Sequence, residues 1–196
     1  MVVIGCNTAS ACAYNEVKDK YDIPIIEVVR AGSMAAVEAT KNGKIGVIGT
    51  PRTIESGIYE QTIRSIRNDV EVYSTHCSLF VSLAEEGWWD NDISLEIAKK
   101  YLSSLTDKGI DTLVLGCTHY PLLEPSIRKA VGDDVTLISS GKEVAKVIES
   151  LLDEDSRNSL DKPECEYYTS DSVDSFIRLG EMFLGQKIEK AKKVEF

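Results

Sequence analysis

Short apolar runs alternate with amphipathic stretches along most of the chain. The runs VVIG, KIGVIGT and DTLVLG are aliphatic, and each is followed by a stretch with the periodicity of an amphipathic helix. Strands that alternate with helices of about 10–15 residues are typical of βαβ units and parallel sheets. We therefore predict an α/β fold with mostly parallel sheets, in which a ligand would bind where the strands end.

Capping signals predict where two of the helices begin. Thr50 predicts an N-cap and Pro51 the first position of a helix that continues over residues 52–66. Asp92 predicts the N-cap of a later helix, whose apolar residues recur at four-residue spacing. The polar stretch 153–163 predicts a loop.

Composition limits the partners that the chain would bind. The 196 residues carry a net charge of −10, which repels phosphate backbones, so we expect no nucleic acid partner. No apolar run reaches about 18 residues, the length that a membrane span requires, so we expect no membrane partner. The five cysteines are odd in number and widely spaced, which is typical of a reducing cytoplasm rather than of a disulfide framework.

One phrase occurs twice in the sequence. VVIGCNTAS contains Cys6 and LVLGCTHYP contains Cys117, and in each the cysteine follows three aliphatic residues and a glycine. The glycine predicts a sharp turn, and a helix is predicted to begin soon after each cysteine. The dipole and free N–H groups of a helix N-terminus stabilise a thiolate, and they also bind carboxylates. Each phrase is therefore a candidate half-site that holds an anion beside a thiol base.

Two thiols that face one anionic ligand would carry out a definite reaction. One thiolate would remove a proton from carbon, and the other thiol would return a proton from the opposite face, with inversion. The alternative for any single cysteine is a buried small hydrophobe, which is common for free cysteine. Cys77, which also follows a predicted strand, is interpreted in that way, whereas Cys12 and Cys165, which show no chemical neighbours, are interpreted as core or edge residues.

Polar residues near the two phrases are the other candidates. His119 would stabilise the Cys117 thiolate or donate a proton, and its alternatives are a helix cap, a zinc ligand or half of a Cys–His dyad. Five further candidates have short polar side chains, for which helix capping is the simpler interpretation: Asn7, Thr8, Thr50, Thr53 and Thr118. The last candidate is Glu85, an acidic residue that would ordinarily lie at a solvated helix end.

These motifs resemble those of the glutamate racemase family of cofactor-independent amino-acid racemases. VIGCNTASA is similar to the family's first cysteine motif, and LVLGCTHYPLL is similar to its second. IGVIGTPRTIESGIY resembles its GT-x-x-T segment, CSLFVSLAEEG its acidic segment, and YYTSDSVDSF with LGEMFLG its C-terminal end. The resemblance covers essentially the whole chain and implies two pseudo-symmetric α/β domains, with the site in the cleft between them.

The resemblance also implies an activity and roles for residues. It implies interconversion of L- and D-glutamate in the cytoplasm, without pyridoxal phosphate or metal, by a homodimer that supplies D-glutamate for peptidoglycan. Cys6 would be the base toward D-glutamate and Cys117 the base toward L-glutamate, while His119 and Glu85 would assist proton transfer or tune the thiols. The implied substrate-binding residues are Asn7, Thr8, Thr50, Thr53, Thr118 and His119.

One segment of the family has no counterpart in this sequence. Family members begin with a strand and an Asp-Ser-Gly-type loop, and we expect about 60 residues, or two βα units, to be missing here. The N-terminal-type domain would then be incomplete and comprise residues 1–29 and 140–196, with residues 30–139 forming the second domain. The alternative functions are a catalytically impaired fragment with a binding role only, an aspartate racemase, and a thiol-redox or zinc protein.

Overall fold

Parallel strands provide the framework of the structure, a computed structural model that describes residues 1–152 and 164–195. The described residues contain the strands β1 (Val2–Ile4), β2 (Ile25–Glu27), β3 (Lys44–Gly49), β4 (Glu71–His76), β5 (Thr112–Gly116), β6 (Thr136–Ser139), β7 (Tyr167–Thr169) and β8 (Ala191–Lys193). Each pairing among these strands is parallel. The predicted α/β fold with mostly parallel sheets is therefore confirmed.

Helices follow most of the strands. They are α1 (Asn7–Val17), α2 (Val28–Ala39), α3 (Pro51–Glu55), α4 (Ile58–Ile66), α5 (Leu79–Glu85), α6 (Asp92–Thr106), α7 (Glu124–Val131), α8 (Ser140–Leu151) and α9 (Val173–Leu184). A 3-10 helix, Tyr120–Leu123, precedes α7. Among the described helices, none combines the length and the apolar character that crossing a membrane requires.

The chain divides into two units, Met1–Leu151 and Leu152–Phe196. The first unit contains a four-stranded sheet in the order β4-β3-β5-β6 and a two-stranded sheet of β1 and β2. The second unit contains the paired strands β7 and β8, together with α9. The predicted domain boundaries, residues 1–29 with 140–196 and residues 30–139, stay a prediction.

Side chains of the central strands β3 and β5 are buried on both faces of the four-stranded sheet, as their continuous apolar runs predict. On β5, Leu113 and Leu115 pack on one face, in a cluster that includes Phe80 of α5 and Leu102 of α6. Val114 points to the opposite face and packs in a second cluster, with residues of α2 and α4. Alternation along one strand thus contributes side chains to two hydrophobic clusters, one on each face of the sheet.

The register of the sheet aligns the carboxyl ends of its central strands. Gly49 of β3 pairs with His76 of β4 on one side and with Gly116 of β5 on the other. Thr50 and Cys117 directly follow these glycines. The sheet therefore places two of the candidate residues at the same edge, as expected for parallel strands.

Two helix starts differ from the predictions. The helix predicted over residues 52–66 is interrupted at Gly57, whose φ of 66° lies in the left-handed region, so α3 and α4 are separate helices. Asn91, rather than Asp92, is the N-cap of α6. The Asn91 side chain accepts a hydrogen bond from Ser94 N, and the Ser94 hydroxyl accepts one from Asn91 N. This reciprocal pair of bonds leaves Asp92 as the first residue of the helix.

The C-terminal part of the chain gives two further outcomes. The loop predicted for residues 153–163 lies outside the described residues. Strand β8 falls within the stretch KIEKAKK, which the sequence did not predict as a strand. The charges in this stretch alternate in sign, which favours a solvated edge, and its residues do not alternate between apolar and polar as a strand pattern requires.

Candidate active site

The first cysteine phrase forms the junction between β1 and α1. Cys6 is the N-cap of α1 and has extended backbone angles, with φ at −106° and ψ at 126°. Its Sγ accepts a hydrogen bond from the backbone N–H of Ala9 at 3.5 Å, and the residue is exposed. The helix predicted to begin after Cys6 is therefore confirmed, and its N-terminus directs a backbone donor at the sulfur.

The second cysteine phrase forms the end of β5. Cys117 is only 8% exposed. Burial raises the pKa of its thiol, although the backbone N–H groups of His119 and Thr118 and the Thr118 hydroxyl act in the opposite direction. The expectation that a helix N-terminus stabilises this thiolate is wrong for Cys117, because the following helix is a 3-10 helix that begins only at Tyr120 and burial outweighs the nearby donors.

The two thiols are close enough to interact electrostatically. Charge on the Cys6 sulfur contributes to raising the pKa of Cys117, as a negative charge does for any neighbouring acid. Both cysteines are free of disulfide bonds. The structure thus brings the two phrases to one site within the unit Met1–Leu151, although they belong to different sheets.

His119 connects the Cys117 thiol to a carboxylate. Its Nδ1 lies 3.9 Å from Cys117 Sγ and 3.4 Å from Thr118 Oγ1, and its Nε2 lies 3.2 Å from Glu85 Oε1. When Nε2 carries the proton and donates it to the carboxylate, Nδ1 presents a lone pair to the thiol. His119 occupies the N-cap position of the 3-10 helix, as the capping alternative predicts, but its side chain makes no capping hydrogen bond there.

Three threonine hydroxyls form a triangle that joins α1 to α3. Thr8 Oγ1 lies 2.9 Å from Thr50 Oγ1 and 3.0 Å from Thr53 Oγ1, and the last two oxygens are 3.0 Å apart. Thr50 is also the N-cap of α3, because its hydroxyl accepts a bond from Thr53 N. The structure therefore brings these three predicted residues together, and a hydroxyl both donates and accepts hydrogen bonds.

Asn7, the first residue of α1, lies in a buried hydrogen-bond network. Its Oδ1 accepts a bond from the Tyr59 hydroxyl at 2.5 Å and another from the Ser140 hydroxyl at 3.3 Å. Its Nδ2 is buried and has no hydrogen-bond partner among the described residues. The sequence does not predict the roles of Tyr59 and Ser140, because each lies on an amphipathic helix, where a buried position is sufficient explanation.

The glycines that precede the two cysteines have different roles. A Cβ at Gly116 would lie 2.6 Å from the backbone oxygen of Ile48 and 3.1 Å from Tyr59 Cε2, whereas a Cβ at Gly5 would meet nothing within 4 Å. Neither glycine has a positive φ, so neither position depends on the left-handed region that glycine enters more easily than other residues. A glycine is required at position 116 because the backbone of Ile48 approaches too closely for a Cβ.

The other two cysteines of the first unit, Cys12 and Cys77, do not join this site. Cys77 is buried and its pKa is raised by burial, as expected for a structural residue. Cys12 is exposed and lies beside the Arg52 guanidinium, whose pKa it raises, so the expectation that it has no chemical neighbour is wrong. Cys165 is exposed and lies in the second unit. Within residues 1–152 and 164–195, His, Cys, Asp and Glu side chains form no cluster of three or more that could hold a metal.

The family of the chain follows from its similarity to known proteins. The family model described as Asp/Glu/hydantoin racemase matches residues 1–148. A glutamate racemase from Geobacter metallireducens is 43% identical over 190 residues, which cover 96% of this chain and 70% of the relative. A glutamate racemase from Streptococcus mutans is 44% identical over 192 residues, with 96% and 72% coverage.

Solved structures agree with the sequence comparison. A glutamate racemase isoform from Bacillus anthracis has a TM-score of 0.90 and 37% identity, covering 100% of this chain and 74% of that one. A glutamate racemase from Francisella tularensis, solved in complex with D-glutamate, has a TM-score of 0.88 and 39% identity, with 98% and 72% coverage. The chain therefore belongs to the Asp/Glu/hydantoin racemase family, and within it to the glutamate racemases.

Proposed function

We propose that the protein interconverts L- and D-glutamate, with Cys6 and Cys117 as the two acid–base groups. The observation that carries this proposal is geometric: the Ser140 hydroxyl lies 3.3 Å from Oδ1 of Asn7, directly after Cys6, and 3.5 Å from the backbone oxygen of Leu115, two residues before Cys117. A relative with 39% identity was solved with D-glutamate bound, which supports glutamate as the substrate. The peptidoglycan role, as a source of D-glutamate, follows from membership of the family.

The reaction moves one proton from the α-carbon to one sulfur and one proton from the other sulfur to the α-carbon. A thiolate lone pair takes the hydrogen from the α-carbon as a proton, and the C–H bonding electrons move into the adjacent carboxylate group. The other thiol then donates its proton to the opposite face of the planar carbon, which inverts the configuration. Cys6 is the base toward D-glutamate and Cys117 is the base toward L-glutamate, and the two sulfurs have exchanged their protonation states after one turnover.

The protonation of the pair favours this division of labour. Burial raises the pKa of Cys117, so this thiol retains its proton at neutral pH and is ready to donate it when D-glutamate is the substrate. His119 Nδ1, at 3.9 Å from the sulfur, is the group that would receive that proton when L-glutamate is the substrate. Glu85 holds the imidazole in the required orientation through Nε2. His119 and Glu85 therefore assist the Cys117 half of the reaction.

Short polar side chains around the thiols supply groups that match the substrate. Glutamate carries two carboxylates and one ammonium, and it requires both donors and acceptors within a small volume. The hydroxyl triangle of Thr8, Thr50 and Thr53 offers both. Thr118, which is exposed beside His119, and Asn7, with its unpartnered Nδ2, complete the proposed substrate-binding residues.

The finer properties of the protein are also proposals. The reaction uses the two thiols without pyridoxal phosphate or metal, and the protein acts in the cytoplasm as a homodimer, as the family resemblance implies. Two domains comprising residues 1–29 with 140–196 and residues 30–139 would each contribute one thiol. Light scattering of the purified chain measures the oligomeric state, and a monomer contradicts the homodimer.

Proton exchange in deuterated water tests the proposed reaction. Each enantiomer of glutamate is incubated with the purified chain, and we expect its α-hydrogen to be replaced by deuterium while the opposite enantiomer appears. Cys6→Ala and Cys117→Ala should each lower the racemisation rate at least about 100-fold. Cys12→Ala, which changes an exposed cysteine on the same helix as the first phrase, should retain the rate.

The alternative functions predict different outcomes in the exchange assay or in a measurement of bound zinc. A folded chain that leaves both enantiomers of glutamate unchanged would contradict the proposal and favour a binding role only. Exchange at the α-carbon of aspartate in place of glutamate would favour an aspartate racemase. Stoichiometric zinc in the purified chain would favour the zinc alternative.

A further inference from the structure

We propose that Tyr59 is a positioning residue, which sets the placement of Cys6 relative to Cys117 by contacting the residues next to both. This inference rests on the proposed two-thiol reaction. Tyr59 lies on α4, and neither its position in the sequence nor its chemistry marks it as part of the site. Its geometry does so, because one buried side chain contacts both cysteine phrases.

The hydroxyl of Tyr59 holds the first phrase. It donates a hydrogen bond of 2.5 Å to Oδ1 of Asn7, which is the residue directly after Cys6. Tyr59 is 2% exposed and Asn7 is 2% exposed, so water does not compete for this bond. Burial raises the pKa of Tyr59, so the hydroxyl keeps its proton and remains a donor at neutral pH.

The ring of Tyr59 packs against the second phrase. A Cβ placed at Gly116 would lie 3.1 Å from Tyr59 Cε2, which means that the ring edge rests on the backbone immediately before Cys117. On α2, a Cβ placed at Gly32 would lie 3.4 Å from the Tyr59 hydroxyl oxygen. The two glycines therefore leave room for the ring and hydroxyl, and a displacement of the tyrosine is opposed by backbone on both sides.

Ser140 completes the connection. Its hydroxyl lies 3.3 Å from Asn7 Oδ1 and 3.5 Å from the backbone oxygen of Leu115. Leu115 is on β5, two residues before Cys117. Two hydroxyls thus converge on one amide oxygen, and the residues that carry them both contact the end of β5, which precedes the second thiol. The amide orientation of Asn7 is fixed, and so is the start of α1, where Cys6 is the N-cap.

These contacts give Tyr59 a function beyond core packing, which is to hold the two thiols at a fixed separation. A two-base reaction needs the thiols on opposite sides of one carbon atom, and an error of about 1 Å in their separation reduces the rate strongly. Cys6 and Cys117 belong to different sheets, so the sheet register does not set their separation. The contact through Tyr59 links the two sheets at the residues adjacent to the thiols.

Tyr59→Phe tests this inference, because it removes the hydroxyl and keeps the ring. We expect kcat to fall about 10- to 100-fold, with a smaller change in KM. The loss should be equal in the two directions of kcat/KM, since the equilibrium constant of a racemisation is one. The matched control is Ser126→Ala, which removes a buried hydroxyl bonded to Ser94 and to the Trp89 carbonyl and should lower stability with kcat unchanged.

A double-mutant cycle separates positioning from a general effect on stability. If Tyr59 acts through Asn7, Tyr59→Phe should have little further effect in an Asn7→Ala background, so that the two losses of kcat are not additive. Additive losses would indicate that the hydroxyl acts elsewhere, and they would overturn the inference. A wild-type kcat in the single Tyr59→Phe variant would overturn it as well.

Cross-linking supplies a readout that does not depend on racemase activity. Dibromobimane joins two nearby thiols and becomes fluorescent, and we use a background in which the exposed Cys12 and Cys165 are replaced by Ser. Tyr59→Phe should change the rate at which Cys6 and Cys117 are joined, whereas Ser126→Ala should not. An unchanged cross-linking rate, or no cross-link in the parent, overturns the positioning role. A parent that cross-links normally but racemises neither enantiomer refutes only the proposed function.

Discussion

Nε2 of His119 lies 3.2 Å from Oε1 of Glu85, and this contact ties the C-terminal end of α5 to the loop after β5. Side-chain exposure is 23% for the histidine and 42% for the glutamate. A pair this exposed contributes little to stability. Its effect is on the orientation of the imidazole, whose other nitrogen faces the Cys117 thiol.

The contact predicts the effect of Glu85→Gln on catalysis. The amide retains the shape of the carboxylate but loses its charge, and it can also donate to Nε2, which allows the wrong tautomer of His119. We expect kcat for glutamate racemisation to fall about 10-fold or more, with little change in the free energy of unfolding. Steady-state kinetics and urea denaturation measure the two quantities.

Glu86→Gln is the control for this change. Glu86 is exposed and is the C-cap of the same helix, so it carries the same charge one residue away. Its substitution should leave kcat unchanged. Equal losses of kcat in both variants would show that net charge near the site, rather than the orientation of His119, is responsible.

Local sequence signals predicted the strands other than β8 and marked the two cysteine phrases as candidate half-sites, but they did not predict the features that depend on packing. The dipole at a helix start favours a low pKa for Cys117, whereas burial raises it, and burial is not visible in the phrase itself. Asp92 and Asn91 are both good N-caps, and only the reciprocal bonds with Ser94 distinguish them. Tyr59 acts through tertiary contacts alone, so no local pattern identifies it.

The proximity of the two thiols predicts a change in the titration of Cys117. A thiolate at Cys6 disfavours a second negative charge and raises the pKa of Cys117, so Cys6→Ser should lower that pKa. Burial remains in the variant, and the pKa should stay above that of a free thiol. The pH dependence of alkylation at Cys117, followed by mass spectrometry, measures the change.

Two comparisons make the titration decisive. Cys12→Ser removes an exposed thiol from the same helix and should leave the titration of Cys117 unaltered. If Cys6→Ser also leaves it unaltered, the sulfurs of the two phrases do not interact, and the proposed two-base reaction loses its geometric support.

Asp111 predicts how stability depends on pH. It lies just before β5, where Oδ1 accepts from the Thr40 hydroxyl at 2.6 Å and Oδ2 accepts from the backbone N–H groups of Lys41 and Asn42 at 2.7 Å each. Burial alone would raise the pKa of Asp111, but these bonds and one from the Thr112 hydroxyl outweigh it, and the pKa is lowered. The carboxylate therefore stabilises the folded state when it is ionised.

Asp111→Asn should destabilise the protein by about 1–3 kcal/mol at pH 7. Since the folded pKa lies below the unfolded value of about 3.9, the contribution is complete above that value and is lost as the pH falls through the folded pKa. The difference between parent and variant should therefore shrink in urea titrations below about pH 4. Asp133→Asn, at an exposed position, should show no such difference, and a constant gap down to pH 3 for Asp111→Asn would contradict the assignment.

The two glycines of the repeated phrase predict opposite responses to the same substitution. In Gly116→Ala the added methyl group would lie 2.6 Å from the Ile48 carbonyl oxygen. This oxygen belongs to the backbone, so it cannot move aside as the end of a flexible side chain would. Strand β5 must shift, so we expect a loss of about 1–3 kcal/mol in the free energy of unfolding. Gly5→Ala places its methyl group in open space and should change the free energy of unfolding by less than about 0.5 kcal/mol. Thermal and urea denaturation of the two variants measure the contrast, and equal losses would mean that glycine serves the same conformational purpose in both phrases.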